Sequence, residues 1–338
     1  MTYRVALIGA GTMGGEHGRQ WAAVPDVEVV GVLADSREEA GRVAEAAGCP
    51  AFGREEFDAL LRQTCPDIVD VCVPTPLHRE YVERAAAAGK AVFVEKPLAR
   101  TLADCDAIVA AVERAGVPLM AGHVLRFFPE YAAAKALVDA GGVGTPVAVR
   151  TARLAGMPSG GTSWYGDSSQ SGGVVLDMIV HDFDWLRWTF GPVTRVFAQG
   201  LYGRPEHAGK RDYALVTLRH ESGVVSHVTG SWAHPSGFRT TLEVAGDAGL
   251  IEHDSARTAP LTFSPHTTPG GGGGGGVAVP ESPLAAFENP YFLELKAFIG
   301  ALDGGTQPPV TVYDAREAAR IALAALESIE TGRAITLA

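Results

Sequence analysis

The sequence predicts an α/β protein of two domains, a doubly wound parallel sheet followed by a domain with an antiparallel sheet. Its 338 residues are too many for one typical domain, and a hydrophobic share of 46% is enough to bury two cores. Short apolar runs alternate with helical stretches as far as residue 122, whereas longer strands with turns between them fill 193–251. We therefore expect a first domain at 1–122 and a second at 123–338.

In the first domain, the predicted strands are continuous apolar runs, as is typical of strands covered on both faces of a sheet. They occupy 5–8, 27–33, 68–73, 91–94 and 119–121. Between them, helical spacing is found at 38–47, 79–88 and 102–115. Gly48, Gly89 and Gly116 follow these helices, at the positions where helix C-caps belong. Such βαβ units predict a parallel sheet.

The second domain has a different pattern of predicted helices and strands. We predict a helix at 128–140, a long and almost wholly apolar helix at 172–190, and closing helices near 291–302 and 315–331. The strands between 193 and 251 are joined by short turns, which favours antiparallel pairing. The seven consecutive glycines at 270–276 predict a flexible surface loop.

The composition argues against several classes of protein. A formal net charge of −11 makes a nucleic-acid surface or an anionic membrane an unfavourable partner. The four cysteines form no C-x-x-C pair and no Cys/His spacing typical of zinc, so we expect reduced thiols and a cytoplasmic protein. The chain passes directly from Met1 into a predicted strand, so we expect no signal peptide, and no apolar run reaches membrane-spanning length.

A dinucleotide-binding motif follows the first predicted strand. Gly9, Gly11 and Gly14 form G-x-G-x-x-G at the start of a helix, with Thr12 and Met13 inside the motif. Gly9 allows the tight turn, Gly11 lets the pyrophosphate approach the backbone, and Gly14 lets the helix pack on the strand. The free N–H groups and the helix dipole then hold the phosphates.

The residues after the second predicted strand bear on the choice of cofactor. Asp35 stands where an acid accepts hydrogen bonds from the adenosine ribose and repels a 2′-phosphate, which favours NAD. Ser36 and Arg37 follow it and could instead cradle that phosphate. NADP therefore remains an alternative.

Two further segments carry groups suited to oxidising a secondary alcohol. Glu95 and Lys96 end a predicted parallel strand, where ligands of such sheets bind, so Lys96 would face the nicotinamide. Asp177 and His181 are four residues apart and would share one face of the apolar helix. His181 could take the hydroxyl proton, Asp177 could stabilise the imidazolium, and Lys96 the alkoxide. The alternatives are a solvated strand end and a buried Asp–His pair that only fixes packing.

With these residues in place, the sequence resembles the Gfo/Idh/MocA family of glucose–fructose oxidoreductases, inositol dehydrogenases and rhizopine-catabolism proteins. The resemblance covers essentially the whole chain. It rests on the glycine motif with His17, Pro74-Thr75-Pro76-x-His78, Glu95-Lys96-Pro97, Arg126-Phe127-x-Pro129, Trp164-Tyr165, Ser171-Gly172-Gly173-x-x-x-Asp177-x-x-x-His181-Asp182-x-Asp184, and Asp314-Ala315-Arg316-Glu317-Ala318.

The resemblance implies a role for each matched segment. Lys96, Asp177 and His181 would form the catalytic triad, with His181 as acid and base. Pro74, Thr75, His78 and Glu95 would line the nicotinamide half of the cofactor site, and His123, Arg126, Trp164 and Tyr165 lie in segments placed near the substrate. The second domain would be an α/β domain with a large open, mainly antiparallel sheet whose outer face is often buried in dimers or tetramers.

We therefore expect an NAD-dependent dehydrogenase of a small-molecule polyol or sugar that forms a homodimer or homotetramer. Two alternatives come from other classes. One is a glycosidase that uses tightly held NAD through oxidation, elimination and reduction. The other is a nucleotide-sensing protein without catalysis, against which the presence of all three catalytic residues argues.

Overall fold

The computed structural model describes residues 2–156, 164, 167–201, 213–234, 238–257, 261–265, 277–279 and 289–337. The glycine run at 270–276, predicted as a loop, lies outside them. The chain divides into two compact units, Met1–Val124 with Glu288–Ala319, and Leu125–Phe287 with Arg320–Ala338. This division differs from the predicted one because a segment near the end of the chain returns to the first unit.

The first unit contains a six-stranded sheet in the order β3-β2-β1-β4-β5-β6, with every neighbouring pair parallel. The predicted doubly wound parallel sheet is confirmed, and its switch point lies between β1 and β4. Its elements are β1 (Tyr3–Ile8), α1 (Thr12–Ala23), β2 (Val27–Ala34), α2 (Arg37–Ala47), β3 (Ala51–Gly53), α3 (Phe57–Thr64), β4 (Ile68–Val71), α4 (His78–Ala87), β5 (Ala91–Glu95), α5 (Leu102–Ala115) and β6 (Leu119–Gly122).

Local signals in the sequence explain these boundaries. The side-chain oxygens of Ser36 and Thr101 accept backbone N–H groups at the starts of α2 and α5. Gly48 and Gly116 end the same helices in the left-handed conformation, at φ of 68° and 64°. All of β4 is buried, as expected for a strand covered on both faces.

The remaining elements follow in chain order. They are α6 (Pro129–Asp139), β7 (Pro146–Leu154), α7 (Ser168–Ser171), α8 (Gly173–Asp177), α9 (Val180–Phe190), β8 (Val193–Leu201), β9 (Tyr213–His220), β10 (Val225–Ser231), β11 (Arg239–Gly246), β12 (Gly249–Asp254), β13 (Leu261–Pro265), β14 (Val277–Val279), α10 (Pro290–Gly304), α11 (Val312–Thr331) and β15 (Ile335–Thr336). Helix α10 and the start of α11 belong to the first unit. Among the described residues, no helix has the length and apolar character needed to cross a membrane.

The second unit is built on a nine-stranded sheet in the order β14-β13-β12-β11-β7-β10-β9-β8-β15. Its pairs are antiparallel, as predicted, except that β7 runs parallel to β10. Strand β7 is not among the predicted strands, although the burial of its residues alternates along most of its length.

The single helix predicted at 172–190 is wrong. Gly172 and Gly173 have φ of 78° and 65°, which separates α7 from α8. The N–H groups of Met178 and Ile179 both donate to the carbonyl of Val174, at 3.1 and 3.0 Å, so α8 closes before α9 begins. Tertiary packing accounts for this turn, because it rests on β10 at Gly230, where an added Cβ would lie only 2.6 Å from Ile179 Cγ2.

Candidate active site

The loop between β1 and α1 is shaped to admit a dinucleotide. Gly9 has φ of 109°, and a Cβ there would lie 2.5 Å from the carbonyl oxygen of Cys72. A Cβ on Gly14 would lie 1.9 Å from the carbonyl oxygen of Gly9. At Gly11, by contrast, no described atom lies within 4 Å of an added Cβ. The outer glycines thus close the turn tightly, while the middle one leaves room for a pyrophosphate to meet the backbone.

The start of α1 supplies donors for that pyrophosphate. The helix begins at Thr12, and no side chain caps it at Gly11. The first N–H groups of a helix, here those of Thr12, Met13 and Gly14, have no intrahelical acceptor. Together with the helix dipole they form an anion site. The residues of this loop therefore fit the phosphates of NAD.

Asp35 follows β2 at the position expected for the adenosine ribose. Its side chain is 73% exposed, and Oδ1 lies 3.8 Å from Nη1 of Arg54. Arg54 is a cation that the sequence analysis did not single out. Ser36 has a structural task, since its hydroxyl oxygen accepts the N–H of Glu39 at 3.2 Å and caps α2.

Arg37 is held by an acid that the sequence analysis also missed. Its Nε and Nη2 atoms donate to the two carboxylate oxygens of Glu56, at 2.7 and 2.5 Å. The N–H of Gly53 donates to the same carboxylate at 2.8 Å. The hydrogen bonds from Arg37 and Gly53 lower the pKa of Glu56 to about 2. An arginine bound in this bidentate way is not poised for a 2′-phosphate.

The loop after β4 contains Pro74, Thr75 and His78. Thr75 is 3% exposed and His78 is 1% exposed. The two ring nitrogens of His78 lie 3.0 Å from the carbonyl oxygen of Pro97 and 2.9 Å from that of Val73. Burial lowers the pKa of His78 and favours the neutral ring, in which only one of the two nitrogens carries a proton and donates to its carbonyl oxygen. The ring lies between the loops after β4 and β5, and its predicted contact with the nicotinamide stays a prediction.

Glu95 and Lys96 stand at the end of β5. Glu95 is 6% exposed, so the alternative of a solvated strand end does not apply to it. Its Oε2 accepts the backbone N–H of Lys96 at 3.0 Å, and its Oε1 lies 3.1 Å from Nε2 of His17. Burial opposes ionisation, but the contacts with His17 and Lys96 lower the pKa of Glu95. A buried carboxylate therefore lies directly before the lysine.

The strand order brings these segments together at the carboxyl end of the first sheet. Strands β1, β4 and β5 are neighbours, and all of them are parallel. Their carboxyl ends therefore lie side by side, at the place where ligands of doubly wound sheets bind. His123 follows the next strand, β6, and is fully buried.

The other two predicted catalytic residues lie in the second unit. Asp177 is the last residue of α8 and is 8% exposed, whereas His181 is the second residue of α9 and is half-buried. The expected shared helix face is wrong, because a turn at Met178 and Ile179 separates them. The triad of Lys96, Asp177 and His181 stays a prediction.

Arg126, predicted to meet the substrate, is a buried ion-pair partner. Its Nε and Nη2 atoms donate to both carboxylate oxygens of Asp184, at 2.7 and 2.5 Å. Its guanidinium carbon lies 5.0 Å from the centre of the Trp188 ring. Trp164 is a described residue between two gaps, and Tyr165 lies outside the described residues.

Sequence reasoning missed a buried acid on α10. Glu294 is fully buried, and neither carboxyl oxygen makes a hydrogen bond with any described residue. Burial and the nearby charge of Glu95 raise the pKa of Glu294 well above its usual value, which favours the protonated form. A signal was present in the sequence, because Glu294 lies three residues after Tyr291 and four before Phe298, on the apolar face of the helix.

This acid should make stability depend on pH. The folded state keeps Glu294 protonated above the unfolded pKa of about 4.5, so the unfolding free energy falls as pH rises from there towards the folded pKa. Glu294→Gln should remove up to about 1.4 kcal/mol per pH unit of that fall. Denaturant unfolding between pH 5 and pH 8 measures it. The exposed Glu38, changed to Gln, is the control and should keep the wild-type slope; parallel curves for Glu294→Gln and the wild type would contradict the assignment.

Comparison with known proteins identifies the family. The profile described as "Oxidoreductase family, NAD-binding Rossmann fold" matches residues 3–123, and the GFO/IDH/MocA C-terminal domain profile matches residues 131–252. Two similar proteins are the myo-inositol 2-dehydrogenase of Thermotoga maritima and the scyllo-inositol 2-dehydrogenase (NAD(+)) of Bacillus subtilis. The first is 31% identical over 99% of this chain and 98% of its own, and the second is 30% identical over 99% and 96%.

A solved structure extends the comparison to the whole fold. GenD2 from gentamicin A biosynthesis, in complex with NAD, superposes with a TM-score of 0.86 at 25% identity, covering 100% of this chain and 97% of that one. The first profile, that of an NAD-binding Rossmann fold, agrees with the parallel sheet of the first unit. The chain belongs to the GFO/IDH/MocA family of oxidoreductases, and its first unit is an NAD-binding Rossmann domain.

Proposed function

We propose that the protein is an NAD-dependent dehydrogenase that oxidises a secondary alcohol of a cyclic polyol or sugar, such as an inositol or a pyranose. The observation that carries the proposal is an open phosphate loop at Gly11, after β1, at the same end of the sheet as the buried Glu95 and its neighbour Lys96, which end β5 on the other side of β4. The inositol dehydrogenases among the relatives support the substrate class.

The residues of the chain divide the work of this reaction. Bound NAD supplies the hydride acceptor. His181 takes the hydroxyl proton, because an imidazole has a pKa near working pH. Asp177 stabilises the imidazolium that results, and the Lys96 ammonium stabilises the negative charge that develops on the substrate oxygen. The glycine loop and the donors at the start of α1 hold the pyrophosphate.

A substrate screen tests the proposal against its alternatives. Inositols and aldoses are offered with NAD, and the absorbance of NADH is followed. Net NADH with a cyclic polyol or sugar supports the dehydrogenase. Co-purified NAD with sugar release from a glycoside and no net NADH would support the glycosidase instead. NAD binding without either reaction would support the nucleotide-sensing protein.

The preference for NAD rests on Asp35, so Asp35→Ser should weaken it. The substitution removes the repulsion of a 2′-phosphate and leaves Arg54 without its neighbouring acid. A new charge-assisted hydrogen bond contributes about 1.5–3 kcal/mol, so the NAD-to-NADP ratio of kcat/KM should fall by about 10–100-fold. Steady-state kinetics with both cofactors measure the ratio. Asp58→Ser, which removes an exposed acid from α3, is the control; a wild-type enzyme that prefers NADP would refute the role of Asp35.

The assembly we expect is a homodimer or homotetramer joined through the second sheet. The outer face of β8 and β9 exposes Phe197, Leu201 and Leu215, at 38%, 62% and 40%. An open sheet with such a face is commonly covered by a symmetric copy. Sedimentation at micromolar concentration should show a dimer or tetramer, and Leu215→Glu should shift it to smaller species. Ala87→Glu on α4 should leave the assembly unchanged, whereas a monomeric wild type would contradict the expectation.

The cytoplasm is the compartment that fits the cysteines. All four of them lie in the described part of the chain, and none forms a disulfide. Free thiols persist where the surroundings are reducing. The pool of NAD on which the proposed reaction depends would be available there.

A further inference from the structure

A cluster of polar side chains lies buried in the first unit. His17 and Trp21 come from α1, Asp70 from β4, Glu95 from β5 and Glu294 from α10. Each of the five is at most 6% exposed. Burying this many ionisable groups is costly unless they are paired with one another. Apart from Glu95, none of them has a part in the cofactor loop or in the proposed reaction.

Both ring nitrogens of His17 face carboxylates. Nδ1 lies 2.9 Å from Oδ2 of Asp70, and Nε2 lies 3.1 Å from Oε1 of Glu95. Nδ1 donates a hydrogen bond to Asp70, whereas the contact of Nε2 with Glu95 has an ion-pair distance without hydrogen-bond geometry, so it is favourable when the ring carries a positive charge. Burial opposes the charged ring, but the negative charge of Asp70 and the hydrogen bond to it raise the pKa of His17 well above its usual value. His17 is therefore an imidazolium that joins two acids.

The contacts from Asp70 through His17 to Glu95 form a link, and Asp70 is its most firmly held member. Its Oδ2 also accepts the indole N–H of Trp21 at 2.7 Å, and its Oδ1 accepts the thiol of Cys72 at 3.3 Å. The carboxylate stands on β4, whose four residues are all buried. A group held by a strand, a ring and a thiol has little freedom, so it can anchor the imidazolium.

Glu95 is the member of the link that contacts the proposed catalytic lysine. One of its oxygens faces His17, and the other accepts the backbone N–H of Lys96 at 3.0 Å. The same carboxylate therefore bridges the imidazolium and the main chain of the next residue. Glu294 adds no competing charge while it stays protonated, and His17 is a buried cation that faces Glu95.

We propose that His17 is a positioning residue, whose imidazolium is anchored on Asp70 and holds the Glu95 carboxylate where it fixes the backbone of Lys96. The inference rests on the proposed function, in which Lys96 acts on the substrate oxygen. A rigid link of this kind supports catalysis because a displacement of about 1 Å in a reacting group can cost about 10²-fold in rate.

The kinetic test is His17→Gln. An amide carries no charge and cannot hold both acids, so Glu95 is released and Lys96 loses its fixed backbone. We expect kcat to fall by about 10–100-fold. The dissociation constant of NAD should change by less than about three-fold, because the glycine loop and Asp35 are unaffected. Such a loss in kcat without a loss of binding marks an interaction needed for the reaction itself.

A second readout needs no catalysis. Hydrogen exchange followed by mass spectrometry on the cofactor-free protein reports on the amide of Lys96, which Glu95 protects in the wild type. In His17→Gln this amide should exchange faster, while peptides of β1 keep their wild-type rates. His220→Gln is the matched control, because it replaces another buried histidine, whose ring nitrogens lie 3.0 Å from the carbonyl oxygen of Gly191 and 2.9 Å from the hydroxyl of Ser226, and leaves the link from His17 to Glu95 intact. It should retain both kcat and the protection of Lys96.

A double variant covers the case in which His17→Gln folds poorly. His17→Gln with Glu95→Gln neutralises one of the two buried acids that lose the imidazolium, and the side-chain oxygen at position 95 can again accept the Lys96 N–H. Protection of that amide should recover relative to the single variant. Wild-type kcat together with wild-type protection in His17→Gln would overturn the proposal. A wild-type protein that oxidises no polyol would sink the proposed function instead, while the exchange experiment would still test the link.

Discussion

Replacing His181 by alanine is expected to lower kcat by about 10²–10⁴, the usual contribution of a positioned general acid or base. The expectation follows from the proposed role of His181 as acceptor of the hydroxyl proton, with Asp177 as its stabilising neighbour. The dissociation constant of NAD should change little, since the phosphates and the adenosine are assigned to the glycine loop and to Asp35. Steady-state kinetics with the best polyol, together with a binding titration of NAD, measure the two effects.

The control for this variant is another histidine of the same unit. His227 stands on β10 and is half-buried, with Nδ1 at 3.2 Å from the hydroxyl of Thr217. His227→Ala removes an imidazole without touching the proposed proton acceptor, so kcat should stay within about two-fold of the wild type. Near-normal turnover in His181→Ala would show that another group takes the proton.

The first sheet could be predicted because its signals are local. The strands are unbroken apolar runs, and residues such as Ser36 and Gly48 mark the ends of α2 by their own backbone preferences. The glycine loop was predictable for the same reason, since the close contacts at Gly9 and Gly14 allow no other residue. The profile match to an NAD-binding Rossmann fold confirms that part of the expectation.

The features that sequence reasoning missed depend on distant contacts. The helix predicted at 172–190 is broken at a turn that packs on Gly230, some fifty residues later in the chain. Strand β7 finds its parallel partner β10 across more than seventy residues. Likewise, Glu288–Ala319 belongs to the first unit and not to the second. Helical periodicity predicts an apolar face on these helices, but it does not show which of the two cores that face contacts.

The site shows the same division between local and distant causes. The motif around Gly9, Gly11 and Gly14 was identified from spacing alone, whereas the pairing of Arg37 with Glu56 joins residues 19 positions apart. The cluster around His17 gathers groups from α1, β4, β5 and α10, and only a fold can bring these together. The sequence motifs contain His17 and Glu95 separately, and Glu294 stands on an apolar helix face, but none of these signs shows that the three residues meet.

A cyclic polyol is expected to exceed 2-propanol in kcat/KM by about 10⁴-fold. A site built to hydrogen-bond hydroxyl groups strongly rejects analogues that lack them, because its own polar groups are then left unpaired. The residues predicted to line this site are His123, Arg126, Trp164 and Tyr165, of which Trp164 could cover an apolar ring face. Initial rates with NAD and each alcohol measure the ratio. Comparable values for 2-propanol and the best polyol would point to a small apolar pocket instead.

The chain offers a matched pair of arginines with which to locate the source of this discrimination. Arg126 and Arg153 are both buried and bound to an acid of α9, Asp184 and Asp182, with Nε–O distances of 2.7 Å. A lysine cannot reproduce the planar fork of either arginine, so both Arg→Lys variants should lose stability. Only Arg126→Lys should also lower kcat/KM for the polyol, by about 10-fold or more, because only Arg126 is predicted to bind the substrate. In the same variant, kcat/KM for 2-propanol should change little. Equal losses for both alcohols in Arg126→Lys, or the same selective loss in Arg153→Lys, would mean that the Arg126–Asp184 pair supports the fold and does not choose the substrate.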